Sequence, residues 1–395
     1  MDAVSPLPAL AALFAAIATI HVLTRLFGTP PGNERYSSIA GLRGYLAFLV
    51  FLHHAVIWYF YLQTGRWDVP PSRLYTHFGQ TSVALFFMVT AFLFSSKLLE
   101  GRSRPIDWLR LYVSRVLRLV PLYMLAMLVL FAIVGFVSGW QLRETPGKLA
   151  GGVVKWLFFT VRGHPDLNGV RDTNLIVAGL TWTLAYEWFF YFSLPLLALI
   201  VGAAPPRRMI ALGVGGVLLY FAIADHHAEY AAPFLGGIAA ALLNQRQSFK
   251  RFAVTRTGSF IALACLGTTV YGFATAYQAA PIALLSVTFA LIACGNDLFG
   301  ILVSRTSRSL GEPAYSIYLL QGLLLYAVFS LVIGPAEARA LSPEGYWTAI
   351  VLLTPLLVTI SFASFHWVEQ PAMKSVARLT NRLRAARTGR PRAAS

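Results

Sequence analysis

Hydrophobic residues dominate long stretches of this chain, and polar residues gather mainly between those stretches. An α-helix needs about 20 residues to cross the hydrocarbon core of a bilayer. Because runs near that length recur along the whole sequence, the pattern predicts an all-α integral membrane protein with about eleven transmembrane helices. The predicted spans cover residues 6–27, 44–64, 79–98, 119–137, 179–202, 208–224, 229–244, 257–277, 279–295, 313–333 and 346–366.

Composition agrees with this class, since the 395 residues are 57% hydrophobic and only 12% charged. The net charge of +16 would suit a nucleic-acid partner, but the distribution of the charge argues against one. With eleven spans and the N-terminus outside, 24 of the 32 Lys and Arg residues fall in cytoplasmic segments and 8 in outer segments. That is the bias of the positive-inside rule. We therefore expect a multi-pass cell-membrane protein with the lipid bilayer as a partner, no nucleic acid, and a cytoplasmic C-terminus.

The chain ends carry their own signals. The first apolar run lacks a preceding positive charge and has Arg25 after it, so we expect a retained span rather than a cleaved secretory signal. The last residues are rich in Ala and Arg, which predicts a basic amphipathic helix on the inner leaflet that frays into disorder. Cys265 and Cys294 lie in apolar runs and are interpreted as core residues, and no Cys/His spacing resembles a zinc site.

The second run begins with "AGLRGYLAFLVFLHHAV", residues 40–56, which places ionisable side chains in an apolar segment. Such groups are costly in a membrane and suggest function by default. The eleven-residue step from Arg43 to His54 turns a helix by about 1,100° and rises about 16 Å, so the two share one stripe. His53 is offset by about 100° and should face elsewhere. The stripe favours a cavity-lining pair over a topology anchor and a packing histidine.

Glu187 is the acidic residue placed well inside a predicted span, where it needs a partner. One interpretation is that it orients or charge-balances His54 or binds a substrate. The other is a structural pair with an indole or hydroxyl, such as that of Trp182 or Tyr191.

Arg115 and Arg118 lie one helical turn apart at the predicted inner membrane edge. Arginines there can hold phosphate through forked hydrogen bonds. Together with Arg43 on the same side, they predict a site for a phosphate-bearing ligand, with simple membrane anchoring as the alternative.

On the predicted outer side, residues 138–178 form the longest segment outside any span. Its portion "VRGHPDLNGVRDTN", residues 161–174, fits a head-group binding surface and a solvated loop equally well. The portion "KLAGGVVKWLFF", residues 148–159, predicts an interfacial or re-entrant helix. The aromatic cluster before this segment favours an interface belt over a sugar platform. Its members are Trp58, Tyr59, Tyr61 and Trp67.

Six ordered blocks resemble acyltransferase family 3, whose members transfer acyl groups onto cell-surface carbohydrates and related molecules. The first is "GLRG" followed by His54, which looks like the family's R-x10-H signature. The others are "SVALFFMVTAFLFSSKLL" (82–99), "SRVLRLVPLYML" (114–125), "WTLAYEWFFY" (182–191), "LGEPAYSIYLLQ" (310–321) and "HWVEQPAMK" (366–374). Gln321 departs from the pattern, since many members have His there. Ala84 and Leu85 stand where an acidic residue is often seen.

The resemblance implies a ten-helix acyltransferase domain over residues 36–374, preceded by an extra N-terminal helix and linker (1–35) and followed by a basic cytoplasmic tail (375–395). It implies transfer of an acyl group, most simply acetyl, from cytosolic acyl-CoA to a hydroxyl of a carbohydrate or lipid-linked glycan, in the bacterial inner membrane. Acyl-CoA would be a substrate, with no resident cofactor or metal. His54, Arg43 and Glu187 would serve catalysis, with His54 as the general base or as a transient carrier of the acyl group. Arg115, Arg118 and Tyr123 would bind acyl-CoA.

A transporter that uses buried His and Glu for proton or anion coupling is the alternative. Such proteins often carry paired repeats with matching broken helices, and we find none in the sequence.

Overall fold

The computed structural model describes residues 2–28, 34–224 and 227–388. Within these ranges every regular element is a helix, and the residues that pair in β fashion form an isolated bridge between Leu167 and Val170. The helices are α1 Pro6–Phe27, α2 Ser37–Thr64, α3 Arg73–Glu100, α4 Trp108–Val137, α5 Pro146–Leu157, α6 Trp182–Ile200, α7 Arg207–Ile223, α8 Ala228–Ala231, α9 Pro233–Leu243, α10 Gln247–Ala253, α11 Arg256–Gly272, α12 Ala279–Ala293, α13 Arg305–Gly311, α14 Ala314–Tyr326, α15 Pro335–Arg339, α16 Pro343–Ser364, α17 Gln370–Lys374 and α18 Val376–Thr388. Short 3₁₀ turns occupy Glu34–Tyr36 and Thr173–Val177, and π-helical segments at Ala327–Val332 and Phe365–Glu369 continue α14 and α16.

Seven of the described helices are long and apolar enough to cross a membrane, or eight if the pair α10 and α11, bent by 77°, forms one broken span. The protein is therefore an all-α integral membrane protein. The remaining predicted spans fall on shorter helices: α7 has 17 residues, α12 has 15, and residues 229–244 are divided between α8 and α9. The count of eleven is not confirmed, and the direction of insertion stays a prediction.

Local sequence explains where the principal helices begin and end. Asp107 caps α4 by accepting a hydrogen bond from the Arg110 N–H at 3.1 Å, which satisfies one of the free amides of the first turn. Gly65 ends α2 in the left-handed region, at φ +71°, where a residue without Cβ is not strained. Pro121 lies inside α4, a position that neighbouring helices make tolerable in a membrane protein.

Glycines bring α2 and α13 into backbone contact at the level of Arg43. A Cβ on Gly44 would lie 2.7 Å from the backbone nitrogen of Gly311, and a Cβ on Gly311 would lie 1.7 Å from the Ala40 carbonyl oxygen. Small residues permit such close helix packing in membranes. The contact between Gly44 and Gly311 therefore fixes the turn of α2 that carries Arg43.

The C-terminal segment forms the helix that its composition predicted, and α18 packs along α4. Arg384 on this helix forms an ion pair with Asp107. Placement of the helix on the inner leaflet stays a prediction, and the predicted fraying falls on residues 389–395, which lie outside the described part. Cys265 and Cys294 are both free thiols.

Candidate functional site

A cavity of about 380 Å³ opens between α2, α3, α4, α6 and the start of α14. We call it the basic cavity, because the guanidinium groups of Arg43, Arg115 and Arg118 line it together with the carboxyl groups of Glu187 and Glu312. Phe and Leu side chains of α3 supply much of the remaining wall. The three arginines that the sequence placed on one side of the membrane thus meet in one site.

Arg118 is held by residues that follow α16, in the π-helical segment and in α17. Its Nη1 lies 3.8 Å from Oε2 of Glu369, which is fully buried, and 3.1 Å from Sδ of Met373. The other carboxylate oxygen of Glu369 accepts a hydrogen bond from the Ser316 hydroxyl. Nη2 of Arg118 is buried without a hydrogen-bond partner in the described part of the chain. The fork of Arg118 is therefore fixed in place with one donor nitrogen still unused.

Glu187 lies among arginines and not beside His54. Its carboxylate accepts a hydrogen bond from the hydroxyl of Tyr191, one turn along α6, and lies within electrostatic range of Arg115, Arg118 and Arg43. The alternative of a pair with Tyr191 is thus what the structure has. The prediction that Glu187 orients or charge-balances His54 directly is corrected, because Glu187 lines the basic cavity and does not line the cavity that contains His54.

Arg43 is the least engaged of the three cations. Within the described residues its side chain has no hydrogen bond and no ion pair, although the charges of Glu312, Glu369 and Glu187 act on it at longer range. Burial raises the pKa of the Glu312 carboxyl above its ordinary value of 4.5, and the neighbouring charges of Arg43 and Arg118 oppose that shift only in part. A cation free of direct partners at the wall of a cavity is a ready contact for an anionic ligand.

A second cavity, of about 510 Å³, lies beyond the first along α2. We call it the histidine cavity, because His53, His54, His164 and His227 all line it. Its other polar groups include the amides of Gln80 and Asn174 and the hydroxyls of Tyr186 and Tyr277. Residues of this kind can hydrogen-bond a hydroxyl-rich ligand.

The tautomer of His54 follows from its backbone contact. Nδ1 of His54 lies 3.0 Å from the Val50 carbonyl oxygen, which can only accept a hydrogen bond. Nδ1 therefore carries the proton of the neutral ring, and Nε2 is left as a proton acceptor. Oε1 of Gln321, buried and without a hydrogen-bond partner in the described chain, belongs to a side chain close enough to interact with the His54 ring.

His53 contradicts the expectation that it faces elsewhere. It lines the same cavity as His54, with the two ring centroids 5.0 Å apart, and its Nδ1 lies 2.7 Å from the Tyr75 carbonyl oxygen. The offset of about 100° was correct, but a cavity wider than one helix stripe receives both side chains. Gly79 makes room, since a Cβ there would meet the His53 ring at 2.4 Å.

The two cavities meet at Val83 on α3 and Tyr318 on α14, which line both of them. The Tyr318 hydroxyl is 2.7 Å from the Thr183 hydroxyl. Arg43 and His54 therefore do not share one cavity, as the stripe argument predicted. They line two adjoining cavities about three helical turns apart on α2.

Tyr123 does not line the basic cavity. Its side chain is fully buried, its hydroxyl donates to the Trp156 carbonyl at 2.6 Å, and its ring stacks on Phe159 with centroids 4.3 Å apart. The prediction that Tyr123 contacts acyl-CoA is therefore corrected, because its ring and its hydroxyl join α4 to the segment that contains α5.

One prediction for the predicted outer side is corrected, and another stays open. Trp58 is 1% exposed and packs on Trp67, and the Trp67 ring lies nearly parallel to that of His54 at 6.3 Å. Trp67 lines the histidine cavity and Trp58 packs against it from behind, so these two rings do not form the interface belt that the sequence favoured. The loop of residues 161–174 is tied to the residues that follow α4, since the Asn168 amide donates to the Ser138 hydroxyl and to the Gln141 carbonyl. The choice between a head-group binding surface and a solvated loop stays open.

Sequence reasoning missed several residues of the histidine cavity because they lie far apart in the chain. His164 and His227 belong to different loops, and neither has a sequence neighbour that indicates a site. Among the described residues no group of three or more His, Cys, Asp and Glu side chains could hold a metal ion. The helix predicted at residues 148–159 is present as α5, and its Trp156 is fully buried with the indole N–H donating to the Pro165 carbonyl at 2.9 Å.

Comparison with known proteins defines the class. Residues 36–366 match the model of acyltransferase family 3, described as an acyltransferase domain, so the chain belongs to that family. Over 199 residues it is 27% identical to "Acyltransferase MdmB" of Streptomyces mycarofaciens, an alignment that covers 48% of this chain and 46% of that protein. The chain thus spans about half the length of this curated relative. No solved structure gives a significant match.

Proposed function

We propose that the protein transfers an acyl group, most simply acetyl, from acyl-CoA held in the basic cavity to a hydroxyl group held in the histidine cavity. The acceptor class is a carbohydrate or a lipid-linked glycan. In this proposal the basic cavity faces the cytosol, the bacterial inner membrane surrounds the protein, and the histidine cavity faces outward.

The observation that carries the proposal is the junction at Val83 and Tyr318. A cavity with three guanidinium groups and a cavity with a proton-accepting imidazole share these walls. A thioester that extends from the arginines towards the junction would bring its carbonyl carbon near the histidine side. When two substrates are held in such neighbouring sites, their bimolecular reaction becomes effectively unimolecular, which lowers the entropic part of the barrier.

The chemistry follows from the free Nε2 of His54. The acceptor oxygen attacks the thioester carbonyl carbon while its proton passes to Nε2. The tetrahedral intermediate then breaks its C–S bond, and the departing thiolate takes the proton back from the imidazolium, leaving an ester and free CoA. In this proposal the Gln321 side chain, which interacts with the His54 ring and has an unpaired Oε1, accepts a hydrogen bond from the protonated ring and favours the charged intermediate form.

The arginines suit the donor. Nη2 of Arg118 and the whole fork of Arg43 are free of hydrogen bonds in the described structure, whereas Arg115 lies over the Phe94 ring at 5.0 Å. Phosphate oxygens accept forked hydrogen bonds from such groups. Glu187 and Glu312 offset part of the positive charge of the three arginines in the basic cavity. The phosphates of a bound ligand would neutralise the rest. We assign Arg43 to donor binding and not to orienting His54.

The proposal is tested by the release of CoA thiol from acyl-CoA by the purified protein in lipid nanodiscs, with wild type compared to His54→Ala. We expect thiol release that depends on His54 and rises when extracts containing the acceptor are added. A transporter would release no thiol in either form. Equal release by wild type and His54→Ala would contradict the assignment of the base.

A further inference from the structure

A third cavity adjoins the histidine cavity and differs from it in character. This apolar groove, of about 600 Å³, runs between α5, α6 and α7. Its volume falls within the range of sites that hold small ligands. Apolar and aromatic side chains form its walls, among them Val154, Phe158, Trp188, Phe192, Leu219 and Ile223.

Two cations stand in this otherwise apolar lining. Lys155 and Arg162 both line the groove, and neither side chain has a hydrogen bond or an ion pair with the described residues. Both residues are exposed, and no acidic residue of the described chain lines the groove. An apolar channel with two unpaired cations complements an amphiphile that joins a hydrocarbon chain to an anionic group.

The groove is continuous with the histidine cavity. Val161 and Ala185 line both spaces, so a molecule seated in the groove can extend into the cavity that contains His54. A bulk lipid would satisfy the apolar walls alone. The continuity and the unpaired cations indicate a substrate whose chain, charge and hydroxyl head are all recognised.

We propose that the acceptor is an anionic amphiphile, with its hydrocarbon chain in the apolar groove, a phosphate-type group at Lys155 and Arg162, and its hydroxyl-bearing head in the histidine cavity. This inference rests on the proposed function, because it names the class of molecule that receives the acyl group. Of the two acceptor classes in the proposed function, it selects the lipid-linked acceptor over a water-soluble carbohydrate.

The matched variants are Val154→Trp, which fills the groove from an exposed position, and Leu128→Trp, which adds the same bulk to an exposed apolar site on α4 away from the three cavities. Lys155→Gln combined with Arg162→Gln removes the cations. Lys148→Gln on α5, whose lysine pairs with Glu144 and lies outside the groove lining, is the charge control.

The experiment supplies acetyl-CoA labelled in the acetyl group to membranes that contain each variant, and measures label in the organic-solvent extract and in the aqueous extract. We expect wild type to label the organic extract, Val154→Trp and the double Gln variant to lose at least tenfold, and both controls to stay within twofold. A diazirine-bearing long-chain alkyl phosphate should photolabel α5 and α6 in wild type and lose that labelling in the double Gln variant.

Three results would overturn the inference, and they are distinguishable. Label confined to the aqueous extract, with all groove variants equal to wild type, would leave the acyltransfer proposal standing and exclude the amphiphilic acceptor. Label in neither extract, with wild type no different from His54→Ala, would overturn the proposed function and the acceptor class together. Photolabelling by the alkyl phosphate that persists in the double Gln variant would mean that the groove holds bulk lipid.

Discussion

The basic cavity and the histidine cavity adjoin each other along α2, yet their buried polar groups are stabilised in different ways. In the basic cavity, charges compensate one another across elements, as Arg118 and Glu369 do at 3.8 Å. In the histidine cavity, backbone carbonyls satisfy one nitrogen of each α2 imidazole, at Val50 and at Tyr75. The first arrangement presents cations to an anion, whereas the second leaves neutral rings that can accept a proton.

This comparison predicts that substitutions in the histidine cavity mainly lower turnover, whereas substitutions in the basic cavity mainly lower stability and CoA affinity. The largest effect is expected from His54→Ala. Loss of a general base lowers turnover on the order of 10²- to 10⁴-fold. His53→Ala changes the shape of the same cavity and should alter KM for the acceptor, with kcat reduced less than tenfold. Steady-state kinetics of both variants measure this difference, and equal losses of kcat would remove the distinction between the two histidines.

The next effect concerns Arg118 and its buried partner. Arg118→Gln leaves the Glu369 carboxylate without its cation, and breaking a buried pair costs about 3–5 kcal/mol. The Arg118→Gln, Glu369→Gln double variant should recover most of that stability but not the affinity for acyl-CoA. Thermal unfolding in detergent and CoA binding separate the two roles. If the double variant regained full affinity, Arg118 would be structural only.

A smaller effect is expected where α2 and α13 touch. Gly311→Ala places a Cβ against the Ala40 carbonyl, and overpacking of this kind costs about 1–3 kcal/mol. The shift of α2 should weaken acyl-CoA binding through Arg43. Gly147→Ala is the control, because nothing lies within 4 Å of the added Cβ there. A normal Tm for Gly311→Ala would show that the helices separate without cost.

The smallest effect is a pH dependence at Glu312. Its pKa is raised above 4.5 mainly by burial, so the carboxyl begins to take up a proton above that pH as the pH falls. Neutralisation removes a negative charge from the basic cavity, and CoA affinity should therefore increase on acidification and decrease as the pH rises through the raised pKa. Glu312→Gln should show no such component when its binding curve is compared with that of wild type. Identical pH curves for the two proteins would exclude this contribution.

The sequence was sufficient for features that depend on local composition. Long apolar runs predicted the helical membrane class. The position of Arg115 and Arg118 predicted a common site with Arg43, and the three side chains line one cavity. The count of eleven spans depended on the runs from 208 to 295, where the described helices are short or bent, and hydropathy alone cannot resolve such segments.

The division of the site into two cavities could not be read from the sequence. Helix periodicity gives the directions of Arg43, His53 and His54 around α2, but it does not say how wide a cavity is or where a neighbouring helix closes it. Tyr318 lines both cavities from α14, and Glu187 lines the basic cavity with the arginines from α6. Both depend on tertiary packing between distant segments.

The most direct test of the central claim is equilibrium binding of CoA to purified wild type, His54→Ala and Arg43→Gln, measured alongside turnover. If the donor lies in the basic cavity and the base in the histidine cavity, His54→Ala should bind CoA within about twofold of wild type while its turnover is lost. Arg43→Gln should lose affinity by about tenfold, the cost of about one charged hydrogen bond. Loss of CoA affinity in His54→Ala with normal affinity in Arg43→Gln would contradict this account.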